Sequence, residues 1–296
     1  MIIKYIIVAA LALTIFSSCS EDNTSNISLS NTATNPKVDQ SIYIAEVATN
    51  AIQVGKDYHS FSNPESIKVT HLNLDLTVDF SKKMLIGTAH LDLQKVDPNA
   101  TQLILDTRNL TINSVTAMGE KVDFGLANGD SFLGSALTID VPAAADSVLI
   151  SYQTSPKASG VQWLTPEQTA GKKHPFLFTQ AQAIHARSFI PLQDSPQVRM
   201  TYEATIRTPK ALLAVMSASN DPESQRDGIY EFSMPQPIPS YLIALAVGDL
   251  HFKPMGERTG VYSEKGILDA AAAEFADTES MLIATEKAFG PYSWDR

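Results

Sequence analysis

The sequence predicts a mainly β, antiparallel protein that turns helical only near its C-terminal end. Three observations carry that expectation. Apolar and polar residues alternate over long runs, Asp, Asn, Gly and Pro interrupt those runs at short intervals, and the apolar period lengthens beyond Gly260. From Ser66 to Phe80, the residues Leu72, Leu74, Leu76, Val78 and Phe80 fall on one face of a half-buried strand. Met84 to Val96 repeats the pattern through Gly87, Ala89, Leu91 and Leu93, and Ser81-Lys82-Lys83 supplies the turn of a β-hairpin. Further strands are expected at Gln102–Asp106, Leu110–Ala117, Leu137–Val141 and Ser147–Gln153. Val198, Met200, Tyr202, Ala204 and Ile206 alternate again, and Leu212–Met216, Ile229–Phe232 and Leu242–Val247 are apolar runs suited to buried strands. Pro235, Pro237 and Pro239 make their segment extended but unfit for a central strand.

Then the period changes. Leu268, Ala271, Phe275, Thr278, Leu282, Thr285 and Phe289 recur at helical spacing, which predicts one helix with a single apolar stripe, ended by Gly290-Pro291. This switch places a domain boundary near Leu250, dividing a β-domain over 58–250 from a second unit over 251–296.

The chain has 296 residues, a formal net charge of −10, 44% hydrophobic residues and 18% charged ones. Such an acidic balance argues against a nucleic-acid partner, which requires a basic face. Lys4 followed by the apolar run Ile6–Phe16 has the make-up of a secretory leader, too short to span a bilayer comfortably. Ser17 and Ser18 then precede Cys19, the single cysteine, which has no partner for an internal disulfide. The arrangement resembles the lipobox of bacterial lipoproteins. That resemblance implies removal of residues 1–18, lipid attachment at Cys19, and anchoring to a membrane of the cell envelope without a spanning helix. Residues 19–57, rich in Ser, Asn, Thr and Asp, read as a flexible tether.

The densest chemistry lies in His174–Pro196, HPFLFTQAQAIHARSFIPLQDSP. Gln180 and Gln182 are two apart, so an extended backbone would turn both carboxamides to one face. His185, Arg187 and Asp194 follow, between prolines. Such a stretch is either a binding surface or a buried polar corner whose amides satisfy neighbouring backbone. Carboxylates such as Asp194 and Glu203 cannot be told from solvated charges on sequence alone. No His is followed by Glu, no two of the six histidines are three or four apart, and no Gly-x-Ser-x-Gly elbow or phosphate loop occurs. His174 and His185 could share a metal only across adjacent strands, so no metal ligand is assigned. Residues and spacing alone describe a secreted β-rich binding module.

The run from Val161 to Tyr202, VQWLTPEQTAGKKHPFLFTQAQAIHARSFIPLQDSPQVRMTY, resembles the N-terminal domain of the aminopeptidase N and leukotriene hydrolase family of zinc aminopeptidases. The resemblance extends through HLNLDLTVDF, IPSYLIALAVGDL and FADTESMLIATEKAFGPYSW, and is nearest the leukotriene hydrolase branch. It implies a saddle-like antiparallel β-domain followed by the first helix of a thermolysin-like α+β catalytic domain. It also implies that Gln180, Ala181 and Gln182 line the site for a peptide's N-terminal residue. Gln182 would hydrogen-bond the peptide backbone or free amine, and Gln180 would shape the first specificity pocket. The family's Gly-x-Met-Glu-Asn run and zinc-binding His-Glu-x-x-His helix do not occur in this sequence. The expectation is therefore the N-terminal part of a monomeric zinc aminopeptidase acting on peptides, truncated before its zinc motif, binding no zinc itself and inactive alone. The alternative is a stand-alone peptide-binding lipoprotein at the cell surface.

Overall fold

A computed structural model describes residues 57–292 and Trp294. The leader, Cys19 and the tether up to residue 56 lie outside the described residues. Those described belong to one compact unit.

The first half of this unit is a run of hairpins and short strands, and the longer of them follow from the alternation of their residues. In order they are β1 (Ile67–Asp79), β2 (Met84–Lys95), β3 (Gln102–Thr107), β4 (Thr111–Ala117), β5 (Glu120–Lys121), β6 (Phe124–Leu126), β7 (Ser135–Asp140) and β8 (Ser147–Gln153). The second half adds β9 (Val161–Leu164), β10 (Phe176–Thr179), β11 (Arg199–Arg207), β12 (Leu213–Met216), β13 (Ile229–Pro239), β14 (Leu245–Gly248), β15 (Leu250–Pro254) and β16 (Gly260–Glu264). Two helices follow, α1 (Leu268–Glu274) and α2 (Thr278–Phe289).

The largest sheet has seven strands in the order β13-β11-β1-β2-β8-β4-β5. A three-stranded sheet β3-β7-β6, a four-stranded sheet β12-β14-β10-β9 and the hairpin β15-β16 complete the β structure. Leu72, Leu74, Leu76, Leu85, Leu91, Ile150 and Tyr202 are buried in one continuous core shared by these layers. Each fully buried side chain of this size stabilises the fold by about 1.5–3 kcal/mol relative to an exposed one. The mainly β expectation holds.

Four details differ from the sequence reading, each for a local reason. First, β1 and β11 run parallel, pairing His71 with Thr201 through Thr77 with Arg207, so the large sheet is mixed. More than a hundred residues separate the two strands, and a connection that long permits a parallel partner. Second, β1 carries a register shift between Val69 and His71 against β2. The bulge re-phases the strand, so that Ile67 and Val69 reach the same core as Leu72 and Leu74. Third, Leu242–Val247 is not one strand: Ser240–Leu242 forms a 3₁₀ turn before β14 begins. The proline run does belong to a strand, but to β13 at the sheet edge. Alternate prolines remove donors from one side of that strand only.

Fourth, the single expected helix is two. Thr278 donates its hydroxyl to the Phe275 carbonyl at 2.7 Å and its N–H to the same oxygen at 3.0 Å, closing a turn between α1 and α2. The expected apolar stripe is not buried along its length. Ala272 is the one buried residue of α1, and α2 has none. Phe289 stands 87% exposed.

Candidate functional site

β10 ends at Thr179, and the chain leaves the four-stranded sheet in a tight turn. The Gln180 N–H donates to the Gly160 carbonyl at 2.9 Å, adding one pair to the β9–β10 ladder. Ala181 is buried, and its carbonyl accepts the His185 N–H at 2.8 Å, which closes the turn. Gln180 and Gln182 are both exposed. Their relation is not the strand-face pairing that the spacing suggested, because the strand stops one residue too early. Instead the Gln180 side-chain oxygen folds back to accept the Gln182 N–H at 3.1 Å. The peptide bond Gln182–Ala183 is cis. Gln180 therefore shapes the turn, while the Gln182 carboxamide, with donor and acceptor side by side, has no protein partner among the described residues.

The turn is held from its far end by His185. Its Nδ1 lies 2.8 Å from Ser159 Oγ and 3.1 Å from Arg108 Nη1. Arg108 also donates to Ser159 Oγ at 3.1 Å and to the Phe132 carbonyl. Partial burial lowers the His185 pKa from its ordinary value, and the Arg108 and Arg187 charges lower it further, against the opposing pull of Asp194. Both effects disfavour the charged ring. Ser188 Oγ accepts the Gly160 N–H at 2.8 Å and donates to the His185 carbonyl at 2.7 Å. A Cβ at position 160 would lie 2.7 Å from that carbonyl oxygen and 2.9 Å from Ser188 Oγ, so the strand can pass this close only as glycine.

Immediately behind the turn is a buried ionic corner. Arg187 donates from Nε and from its backbone N–H to Asp194 Oδ2, at 3.0 and 3.2 Å. Its guanidinium also reaches the carbonyls of His59, Leu133 and Asp194 at 2.7, 2.8 and 3.0 Å, and approaches Asp106 Oδ1 at 3.6 Å. Asp106 accepts from Ser60 Oγ at 2.6 Å, the Phe61 N–H at 2.7 Å and the Asp194 N–H at 2.9 Å. Ser240 Oγ donates to Asp194 Oδ1 at 2.6 Å. All three charged side chains are fully buried. Burial pushes the Asp106 carboxyl up, while Arg187, the Ser60 hydroxyl and the two amides pull against it. Nearby, Gln193 spans two backbone groups, accepting the Val69 N–H at 3.0 Å and donating to the Ile67 carbonyl at 2.8 Å.

The central stretch therefore contains both of its two readings. Residues 180–185 form an exposed turn, and residues 186–195 form a satisfied polar corner. Asp194 is buried and paired, unlike the exposed Glu203. Sequence reasoning missed Asp106, Ser60 and Ser240. The one signal for Asp106 was a carboxylate inside the apolar run Leu103–Thr107.

The Peptidase M1 N-terminal domain model matches residues 68–242, which includes the turn and its supports. The chain belongs to this family. Leukotriene A-4 hydrolase of Xenopus laevis is 44% identical to it over 248 residues, covering 80% of this chain and 41% of that protein. Human aminopeptidase B is 40% identical over 265 residues, covering 81% of this chain and 40% of that protein. A solved structure of yeast LTA4 hydrolase in complex with bestatin superposes with a TM-score of 0.78 at 35% identity, over 84% of this chain and 40% of the other. An M1 zinc metallopeptidase of Deinococcus radiodurans shares the fold, with a TM-score of 0.62 at 20% identity over 78% of this chain and 55% of that one. The chain thus spans about two fifths of the length of the curated relatives it matches.

Among the described residues no three His, Cys, Asp or Glu side chains converge as a metal site. His185 is engaged by Ser159 and Arg108, and it does not meet His174, whose carbonyl accepts the Thr169 hydroxyl at 3.2 Å. Among the described residues no helix is long and apolar enough to cross a membrane.

Proposed function

We propose that this chain is the N-terminal portion of a zinc aminopeptidase that removes N-terminal residues from peptides, and that its contribution is one wall of the substrate site. The observation that carries this reading is the exposed Gln182 carboxamide, without a partner among the described residues, on a turn braced by a buried ionic corner. A carboxamide offers an acceptor to a peptide's free ammonium and a donor to its first carbonyl. Gln180 fixes the turn and, with the small Ala181, shapes the pocket for the first side chain. Residues 58–250 form the β-domain, and residues 251–296 begin the catalytic domain. The zinc ion and its ligands belong to sequence outside these 296 residues, so the chain by itself is inactive. The protein is a monomer, held to the bacterial cell envelope through lipid on Cys19 after removal of residues 1–18, with residues 19–57 as tether. The relatives' names and the family's length support the enzymatic reading, and the leader sequence supports the location.

Sequencing the gene in frame beyond Arg296 tests the proposal. The expected continuation encodes a Gly-x-Met-Glu-Asn run and a His-Glu-x-x-His helix. A stop codon there in an intact genome overturns it. Chelator-sensitive hydrolysis of an aminoacyl-nitroanilide by the 296-residue chain would overturn the inactivity.

A further inference from the structure

Arg108 only donates hydrogen bonds, so the His185 Nδ1 that it reaches at 3.1 Å must present a lone pair. Ser159 Oγ, 2.8 Å from the same nitrogen, donates its proton there while accepting from Arg108. The geometry therefore requires the neutral ring with its proton on Nε2. The charged groups around it come from three directions. Arg108 faces it from the β3–β4 turn, with Asp130 of the β6–β7 loop beyond it, and Arg187 and Asp194 lie on the central stretch itself. The backbone of the same residue is part of the Gln180–Gln182 turn, through its N–H to Ala181 and its carbonyl to Ser188 Oγ.

We propose that neutral His185 is the positioning residue of the Gln180–Gln182 turn, and that its protonation loosens the turn and weakens capture of a peptide's N-terminus. The statement about peptide rests on the proposed function; the statement about the turn does not. A proton on Nδ1 replaces an acceptor with a donor facing a donor, and sets two cations about 3 Å apart. The ring must leave its place between Ser159 and Arg108. The His185 backbone is tied to the turn by its N–H on the Ala181 carbonyl and by its carbonyl on Ser188 Oγ, so the displacement passes to Ala181 and Gln182.

Amide and imidazole resonances of the 296-residue chain, followed from pH 8 to 4.5, test this. The Gln182 amide shift is expected to titrate with the His185 ring, at a midpoint below the ordinary 6.5. The affinity for unblocked Leu-Gly-Gly is expected to fall at least about threefold between about pH 6.5 and 4.5, a range in which the tripeptide's amine, with an ordinary pKa of about 7.7–8.0, stays protonated. His185→Asn places a non-titrating oxygen near Nδ1, and is expected to keep binding and flatten the profile. A Gln182 shift that ignores the His185 titration overturns the inference, as does an unchanged pH profile in a folded Asn variant. If that variant does not fold, the wild-type titration alone decides. If Leu-Gly-Gly binds at no pH while Gln182 still follows His185, the proposed function fails and the positioning role stands.

Discussion

Two arginines in this molecule each hold two carboxylates, and they do different things. Arg187 meets Asp194 at 3.0 Å and Asp106 at 3.6 Å, with all three side chains at 0% exposure. Arg258, between β15 and β16, meets Glu279 at 3.0 Å and Glu286 at 2.8 and 3.1 Å, with side chains 19–27% exposed. By distance the second cluster is the better made. Burial reverses the ranking of what each loss would cost. In water-accessible surroundings a pair is screened and its partners can be re-solvated, whereas a buried carboxylate deprived of its counter-charge has nowhere to turn. The Arg187 corner is thus a lock behind the Gln180–His185 turn. The Arg258 cluster is a strap that keeps α2, a helix with no buried residue, against the β15–β16 hairpin.

The most direct way to break this contrast is to remove each arginine. Arg187→Met leaves Asp106 and Asp194 buried without their cation, and should cost about 3–5 kcal/mol of unfolding free energy by urea titration. Arg258→Ala should leave the urea midpoint nearly unchanged and speed amide exchange in α2 alone. Equal losses in the two variants would end the distinction. A smaller effect is expected one layer out. Gly160→Ala must push the His185 carbonyl and Ser188 Oγ apart, which should cost about 1–3 kcal/mol and shift the Gln182 amide resonance.

Acid sharpens the same comparison because the two clusters have opposite signs. Burial pushes Glu279 up, but its hydrogen bonds with the Arg258 N–H and guanidinium and the Thr259 hydroxyl outweigh that and leave its pKa lowered. Glu286 is lowered first by its hydrogen bonds to Arg258 and then by the Tyr292 N–H. Groups whose folded pKa is depressed contribute stability that is present above 4.5 and is lost as pH falls through their lowered values. The Asp106 pKa is raised by burial, so its contribution is full below 3.8 and is lost as pH rises through the raised value. Hydrogen exchange followed downward from pH 4.5 should therefore show α2 opening as its carboxylates are protonated, while the Arg187 and Asp194 amides stay protected. Simultaneous opening of both would contradict this.

What the sequence disclosed follows the same division. The β1–β2 hairpin and the strand nature of β11 were legible because alternation is a local signal, and the edge position of β13 was legible from its prolines. The parallel β1–β11 pairing was not, since it joins residues about 130 apart with no local mark. Nor was the corner: Arg187 and Asp194 lay in the stretch singled out, but Asp106, Ser60 and Ser240 reach them from distant strands and loops. The helix break escaped notice because Thr278 fits an apolar stripe as readily as it caps a turn. Gln180 and Gln182 were singled out on a strand-face argument that the end of β10 at Thr179 removes. What replaces it is a division of labour, with one glutamine turned inward on the backbone and the other outward.

That outward glutamine is the centre of the account, and one titration tests it most directly. Amide spectra of the 296-residue chain are recorded at neutral pH with increasing Leu-Gly-Gly, for the wild type and for Gln182→Ala. Wild-type shifts should concentrate at Gln180–His185, and affinity should drop about tenfold in the variant and with the N-acetylated tripeptide, the loss of one good hydrogen bond to a charged group. Shifts centred elsewhere, or equal affinity in the two proteins, would contradict the account.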